Sequence, residues 1–262
     1  MNFVDDATGR ALCRFSDEET TWAAADLLEA WVHRYGVPQA LYCDGKNVYQ
    51  RRPTSREAIE GVEPQTQFGR MCAKLGIGIM VASSPQAKGR VERHHGIHQD
   101  RLIKKLRLAG ISGYEAANRY LQAGYLEEHN ARFARHPAAA DFHRRVAKGL
   151  DLRGVFCLEA ERVVSNDLVV RFENRFLQLK PKRNQDLGAG ARVTVQQARG
   201  GDLRVLHQDL KVAFEPLARP QPQRHAEPRP RRAPLPPLPR PPAADHPWRR
   251  YPPVKKNGAA AR

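Results

Sequence analysis

The feature that most constrains this chain is a change in hydrophobic rhythm part-way along it. Between Thr20 and Tyr35 the apolar residues Trp22, Ala25, Leu28, Val32 and Tyr35 fall at three- and four-residue spacings, the signature of a helix with one buried face. From about Arg153 onward the text reads RVVSNDLVVRFENRFLQL, then ARVTVQQ, LRVLHQ and KVAFEP. Those are short alternating runs punctuated by SND, EN and RGGD, which read as antiparallel strands joined by tight turns. One side of a sequence patterned this way builds helices on a sheet, and the other builds a small β-domain.

The first part adds strands to its helices. Phe3–Val4 and ALCRF flank DDATGR, a hairpin with its turn at Asp6–Gly9. Gly36 and then Val37–Pro38 close the first helix, and ALYC leads as a short strand, Ala40–Cys43, into Asp44–Gly45. Residues 46 to 63 are polar and read as irregular. Thr66–Leu75 is a helix closed by Gly76, and Ile77–Ala82 is an apolar strand. Ser83–Ser84–Pro85 then offers a cap and a first-turn proline, opening a long helix to about Leu108. A further helix spans Tyr114–Phe133, with Tyr120, Leu121, Tyr125 and Leu126 along one side. Strands alternating with helices in this order give an α/β layer. The β-rich part has the length of a five- or six-stranded barrel.

Charge narrows the partner. The chain carries a formal net charge of +16, and its last 45 residues hold 11 Lys or Arg against Glu227 and Asp245. A basic body with a more basic tail attracts polyanions, most simply nucleic acid, because neutralised phosphates release counterions. That tail also holds 13 of the 20 prolines, including PLPPLPRPP, a composition that cannot bury a core and reads as disordered. The four cysteines are far apart and form no C-x-x-C pair, which argues against a disulfide framework or a zinc site of the usual spacing. No apolar run reaches the roughly 18 residues of a membrane span, and MNFVDDATGR lacks the regions of a signal peptide. A cytoplasmic protein with no membrane partner is the expectation.

The stretch SSPQAKGRVERHHGIHQDRLIKKLR is where chemistry gathers. From Lys88 to Arg107 there are seven Lys or Arg and two acids, Glu92 and Asp100. Asp44, at the exit of an apolar strand, and Glu92, near the start of the helix after the next strand, suit a divalent metal held against a phosphate. The alternatives are an ordinary D-G turn and a Lys88–Glu92 surface pair four residues apart. His94 and His98 share a helix face, yet no H-E-x-x-H motif accompanies them, so DNA contact or simple exposure is expected for His94, His95 and His98.

VDDATGRALCRF, YCDGKNVY and SSPQAKGRVERHHGIHQDRLIKKLRLAGI together resemble the integrase-type catalytic core of DDE insertion-sequence transposases. SNDLVVRFENRFLQL is similar to the C-terminal part of the ISNCY-type group, and the likeness runs over roughly residues 2 to 217. The resemblance implies a ribonuclease-H-like fold, a DDE triad holding two Mg²⁺ (or Mn²⁺) ions, and cleavage and joining of DNA ends. Asp44 would be the second acid of that triad and Glu92 the third. The first acid would lie on a strand upstream of the opening hairpin, so an N-terminally truncated form, impaired in catalysis, is expected. Asp5 and Asp6 read as turn residues. Gln99 stands where many members of that group carry Lys or Arg.

The expected organisation is therefore an α/β, ribonuclease-H-like integrase core lacking its first strand (1–110), a helical extension (111–150), a small β-barrel-like domain (151–217) and a disordered Pro/Arg-rich tail (218–262). Asp44 and Glu92 are the expected catalytic and metal-binding residues. Lys88, Arg90, Arg93, Arg101, Lys104 and Lys105 are the expected DNA contacts, with Arg162, Arg171, Arg175, Lys180, Lys182 and Arg183 making the β-domain basic. Expected partners are transposon-end and target DNA and further copies of the chain, in a bacterial, nucleoid-associated setting. The alternative function is a non-catalytic DNA-binding fragment, acting as an inhibitor or surviving as a relic.

Overall fold

A computed structural model describes residues 1–82, 85–183, 185–217 and 245–247, without the side chains of residues 56 and 85–88. The cap expected at Ser83–Ser84, the Lys88 side chain and the proline-rich tail lie outside the described residues. Met1–Arg219 forms one compact unit, and the three residues from Asp245 belong to a second, Pro220–Arg262.

The chain opens on a hairpin of β1 (Asn2–Val4) and β2 (Ala11–Cys13), with Asn2 opposite Cys13 and Val4 opposite Ala11. Asp5 shapes its turn, accepting from the Thr8 backbone N–H at 3.0 Å and from the Thr8 hydroxyl at 2.5 Å. Turn chemistry thus accounts for Asp5, as the sequence suggested. Helix α1 (Thr21–Tyr35) is capped by the Thr20 side chain and ends at Gly36, whose φ of +97° suits glycine. It is buried nearly all round because it lies between two clusters. Ala24, Ala25, Leu28 and Val32 pack against Phe68, Met71 and Cys72, while Leu27 and Trp31 join Leu102, Leu121 and Leu126.

Strand β3 (Ala40–Cys43) runs parallel to β4 (Gly78–Val81), with Leu41 opposite Ile79. Between them the polar stretch is less irregular than expected. Thr54 and Glu57 form a reciprocal capping box that starts a short helix, α2 (Ser55–Glu60). Helix α3 (Gln67–Leu75) follows, with Thr66 as cap and Gly76 left-handed at its end. Helix α4 (Pro85–Ile97) continues through a π-helical turn, His98–Leu102, into α5 (Ile103–Leu108). The expected long helix is there, with one widened turn inside it. The next expected helix is also divided, into α6 (Tyr114–Tyr120), a π turn at Leu121–Tyr125 bent at Gly124, and α7 (Leu126–Phe133). A single turn of helix, α8 (Leu152–Val155), leads into the β-rich part.

Strands therefore alternate with helices as an α/β layer requires, but they do not merge into one sheet. Among the described residues β1–β2 and β3–β4 are separate two-stranded sheets. The β-rich part is a six-stranded antiparallel sheet of β5 (Leu158–Val163), β6 (Val169–Phe172), β7 (Arg175–Lys180), β8 (Arg192–Gln197), β9 (Leu203–His207) and β10 (Leu210–Leu217). Their order is β5-β8-β9-β10-β7-β6. Glu173–Asn174 and Gln208–Asp209 have positive φ at both positions, which matches the right-handed twist of their hairpins. The sheet curls toward a barrel without closing it. At the seam the Arg162 guanidinium on β5 donates to the Arg171 carbonyl on β6 at 3.2 Å, where ladder bonds would otherwise be. Inside lie Val170, Leu177, Leu179, Val193, Val195 and Val205.

Candidate functional site

Two strand edges face a common space. Met1–Val4 and residues 38–44 both line a cavity of about 1120 Å³, closed on another side by Arg90, Glu92 and His95 of α4. Both two-stranded sheets leave their outer edges without a further strand among the described residues.

Asp44 and Glu92 both line it. Asp44 gets there because β3 ends one residue before it, at the mouth between sheet and helices. Its Oδ1 is buried and has no hydrogen-bond partner, while Oδ2 lies 3.6 Å from the Lys46 ammonium. Glu92 is exposed on α4, and its charge acts on the neighbouring His95 imidazole. An orphaned carboxylate oxygen beside a cavity that a second carboxylate also lines is a donor set that would suit a hard cation, with water completing the shell. Asp44 and Glu92 are the residues that would hold such an ion. Among the described residues no third acid joins them: the one gathered set of three or more potential ligands consists of histidines.

Several of the other acids around the cavity are already engaged. Asp5 holds its turn, and Asp6 pairs with the Arg90 guanidinium at 2.8 Å. Glu19, which the sequence reading passed over, accepts from Tyr49 Oη at 2.9 Å and pairs with Lys46. Burial alone would raise the Glu19 carboxyl, but the Lys46 and Tyr49 hydrogen bonds outweigh it and hold it below the usual range. Lys46 thus bridges Glu19 and Asp44. The signal for Glu19 was its place next to the Thr20 cap, where the start of α1 aims it at the cavity. Burial, reinforced by Asp44, pushes the adjacent Cys43 thiol up to about 12, so it is no thiolate nucleophile.

Of the basic residues expected to meet DNA, Arg90, Arg93, Arg101 and Lys104 are exposed and Lys105 half-buried along one helical run, and several have protein partners. Arg90 pairs with Asp6, Lys104 with Asp100 at 2.5 Å and Lys105 with Glu128 at 2.5 Å. Arg101 lies over the Phe133 ring at 5.5 Å, and Arg93 is exposed. Such solvent-facing pairs are worth about 0–1 kcal/mol and exchange readily for phosphate. In the β-domain, Arg171 stands over Phe176 and Lys180 pairs with Glu215.

The histidines correct the sequence reading. His95 is exposed, but His94 and His98 are buried at 7% and 8% exposure and meet His129 of α7, at 4%. The helical run turns these two residues inward, onto α7, rather than toward solvent or DNA.

No family model matches the sequence. Over about two thirds of its length the chain is nonetheless homologous to proteins named as transposases. It is 39% identical over 181 residues to y4bF of Sinorhizobium fredii (strain NBRC 101917 / NGR234), covering 68% of this chain and 39% of that protein. It is 32% identical over 173 residues to the transposase for insertion sequence IS1202 of Streptococcus pneumoniae, covering 66% of this chain and 37% of the other. The chain thus spans less than half the length of these curated relatives. In fold it is loosely similar to the simian T-cell lymphotropic virus intasome solved with the PP2A regulatory subunit B56 gamma. The TM-score there is 0.38 at 13% identity, over 81% of this chain and 70% of the other.

Proposed function

We propose that this chain acts on DNA as part of an insertion-sequence transposase, with a ribonuclease-H-like core and DDE-type phosphoryl transfer. The observation that carries the reading is the shared cavity, where Asp44 presents a buried, unpartnered carboxylate oxygen and Glu92 faces the same space. Homology over two thirds of the chain to proteins named as transposases supports it.

In this reading Asp44 and Glu92 hold Mg²⁺ (or Mn²⁺). The ion, when bound, supplies Lewis-acid stabilisation of charge building on phosphate oxygens. The chain's own residues do the remaining work. Lys46 and Glu19 hold Asp44 in place. Arg90, Arg93, Arg101, Lys104 and Lys105 guide the DNA backbone along the helix, contacts that position without reading sequence. Lys88 belongs to the same set by sequence. The curled β-domain adds Arg162, Arg171, Arg175 and Lys180 to the basic surface. The DNA partners are transposon ends and target, the working form is an oligomer on DNA, and the setting is the bacterial cytoplasm and nucleoid. No described helix is long and apolar enough to cross a membrane.

Asp44 and Glu92 alone fall short of the three or more carboxylates that a pair of ions needs, so cleavage by this chain alone is weak. That shortage favours a second reading, a DNA-binding fragment without strand transfer. One experiment separates the two. Purified chain is mixed with supercoiled DNA and Mg²⁺ or Mn²⁺, and nicking is followed beside salt-dependent DNA binding, in the parent and in Asp44→Asn. Metal-dependent nicking abolished by Asp44→Asn supports the enzyme. Salt-sensitive binding with no nicking, unchanged in Asp44→Asn, supports the binding fragment. A chain with neither property refutes both.

A further inference from the structure

The mechanism leaves one constellation unused, the buried histidines behind α4. We propose that His94, His98 and His129 form a binding site for a divalent transition-metal ion of the Zn²⁺ class, separate from the Asp44–Glu92 cavity.

Three elements converge to make it. His94 comes from α4, His98 opens the π turn, and His129 comes from α7. One ligand nitrogen from each lies within 4.8 Å of the others. His94 Nδ1 and His129 Nε2 are already 3.1 Å apart. Two imidazole nitrogens on a tetrahedral zinc, each bound at about 2.0–2.1 Å, stand roughly 3.3 Å from one another. The pair is therefore spaced as two ligands of one ion would be.

His98 supplies the independent sign. Its Nδ1 lies 3.1 Å from the Tyr125 hydroxyl, while its Nε2 is buried with no partner. A buried imidazole nitrogen without a partner is costly unless something binds it. Tyr125 stands where the supporting group of a metal-bound histidine usually stands, and by accepting from Nδ1–H it would leave Nε2 free for an ion. The His98 and His129 rings stack with centroids 4.5 Å apart.

The chemistry of the donors selects the ion. Neutral imidazoles suit Zn²⁺ and its neighbours, and are poor ligands for Mg²⁺ or Ca²⁺. Each ring would bind as a neutral imidazole, so metal affinity falls in acid as protons compete. Water or hydroxide takes the fourth position. His95, one residue from His94, points instead into the carboxylate cavity. The ion would tie the helix carrying Glu92 and the basic run to α7, a structural cross-link rather than a second catalytic centre.

The test uses the full chain, stripped with a chelator and titrated with Zn²⁺ against a chromophoric competitor, with Co²⁺ as spectroscopic probe. The expected result is one equivalent bound, with the visible bands of four-coordinate Co²⁺. Affinity falls at least a hundredfold in His98→Ala and His129→Phe, and about tenfold in Tyr125→Phe. It is unchanged in His95→Ala and in Asp44→Asn. X-ray absorption on the zinc-loaded parent needs no variant, and a first shell of three imidazoles supports the site. A folded parent that takes up no ion, a shell of carboxylate oxygen or thiolate sulfur, or binding that survives both histidine substitutions overturns it.

Discussion

Glu159 is the most informative single residue to remove, because it joins the β-domain to α3. Its side chain is 14% exposed, accepts from Lys74 Nζ at 2.5 Å and Gln196 Nε2 at 2.8 Å, and forms an ion pair with Arg70 Nη1 at 3.3 Å. Its backbone is clasped on both sides by the Gln67 amide, at 2.7 and 2.9 Å. In Glu159→Ala the Lys74 ammonium, already 37% exposed, turns to water at little cost. Arg70, 13% exposed, cannot, and keeps the Cys157 carbonyl and Gln67 Oε1 without its carboxylate. Breaking a buried pair costs about 3–5 kcal/mol, and water reaching Lys74 places this one near the lower end, about 3 kcal/mol. For a unit of this size that is a fall in Tm of roughly 6–12 °C. Urea unfolding should show a lower midpoint at unchanged slope. Burial raises the Glu159 carboxyl, but the Lys74 and Gln196 hydrogen bonds and the Arg70 charge outweigh it and leave it below the ordinary value. Its contribution is thus complete above the unfolded value of about 4.3 and fades as pH falls through the lower folded one, so the deficit narrows in acid. An alanine variant within about 0.5 kcal/mol of the parent at neutral pH would refute the reasoning.

Two further outcomes test the packing. His98 and His129 are held down to about 4 by burial first, with His94, His95 and Arg101 adding to the effect, so protonation favours the unfolded chain. Stability should be full above about 6.5 and fall as pH drops toward 4, a slope that urea titrations of His129→Phe should show flattened. Gly36→Ala would set a Cβ 2.8 Å from the Arg144 carbonyl oxygen at a φ of +97°, and should lower stability by more than about 1 kcal/mol. In contrast, Gly96→Ala, inside α4 with nothing within 4 Å, should raise it by about 0.5–1 kcal/mol, and thermal melts of the pair give the comparison.

What the sequence determined by itself was local. The three- and four-residue spacing of α1, the caps at Thr20 and Thr66, the stops at Gly36 and Gly76 and the paired turns of the β-domain all act within a few residues, so short windows of text specify them. Even α2 was legible in the T-S-R-E spacing of Thr54–Glu57, a capping box in a stretch read as irregular. That Asp44 and Glu92 line a common cavity was legible only as a suggestion, since a strand exit and a helix start can open on one cleft or on two. Tertiary structure placed both on one cavity, left an Asp44 oxygen there without a partner and brought Glu19 in through Lys46. It also decided that β1–β2 and β3–β4 stand apart, because strand pairing depends on what lies between the edges and not on the strands' own patterns. The histidines show the same divide. Spacing put His94 and His98 on one face, but only the packing of α7 against that face brought in His129 and buried all three. Burial is a property of the neighbours a residue meets, and those neighbours lie some thirty residues further along the chain.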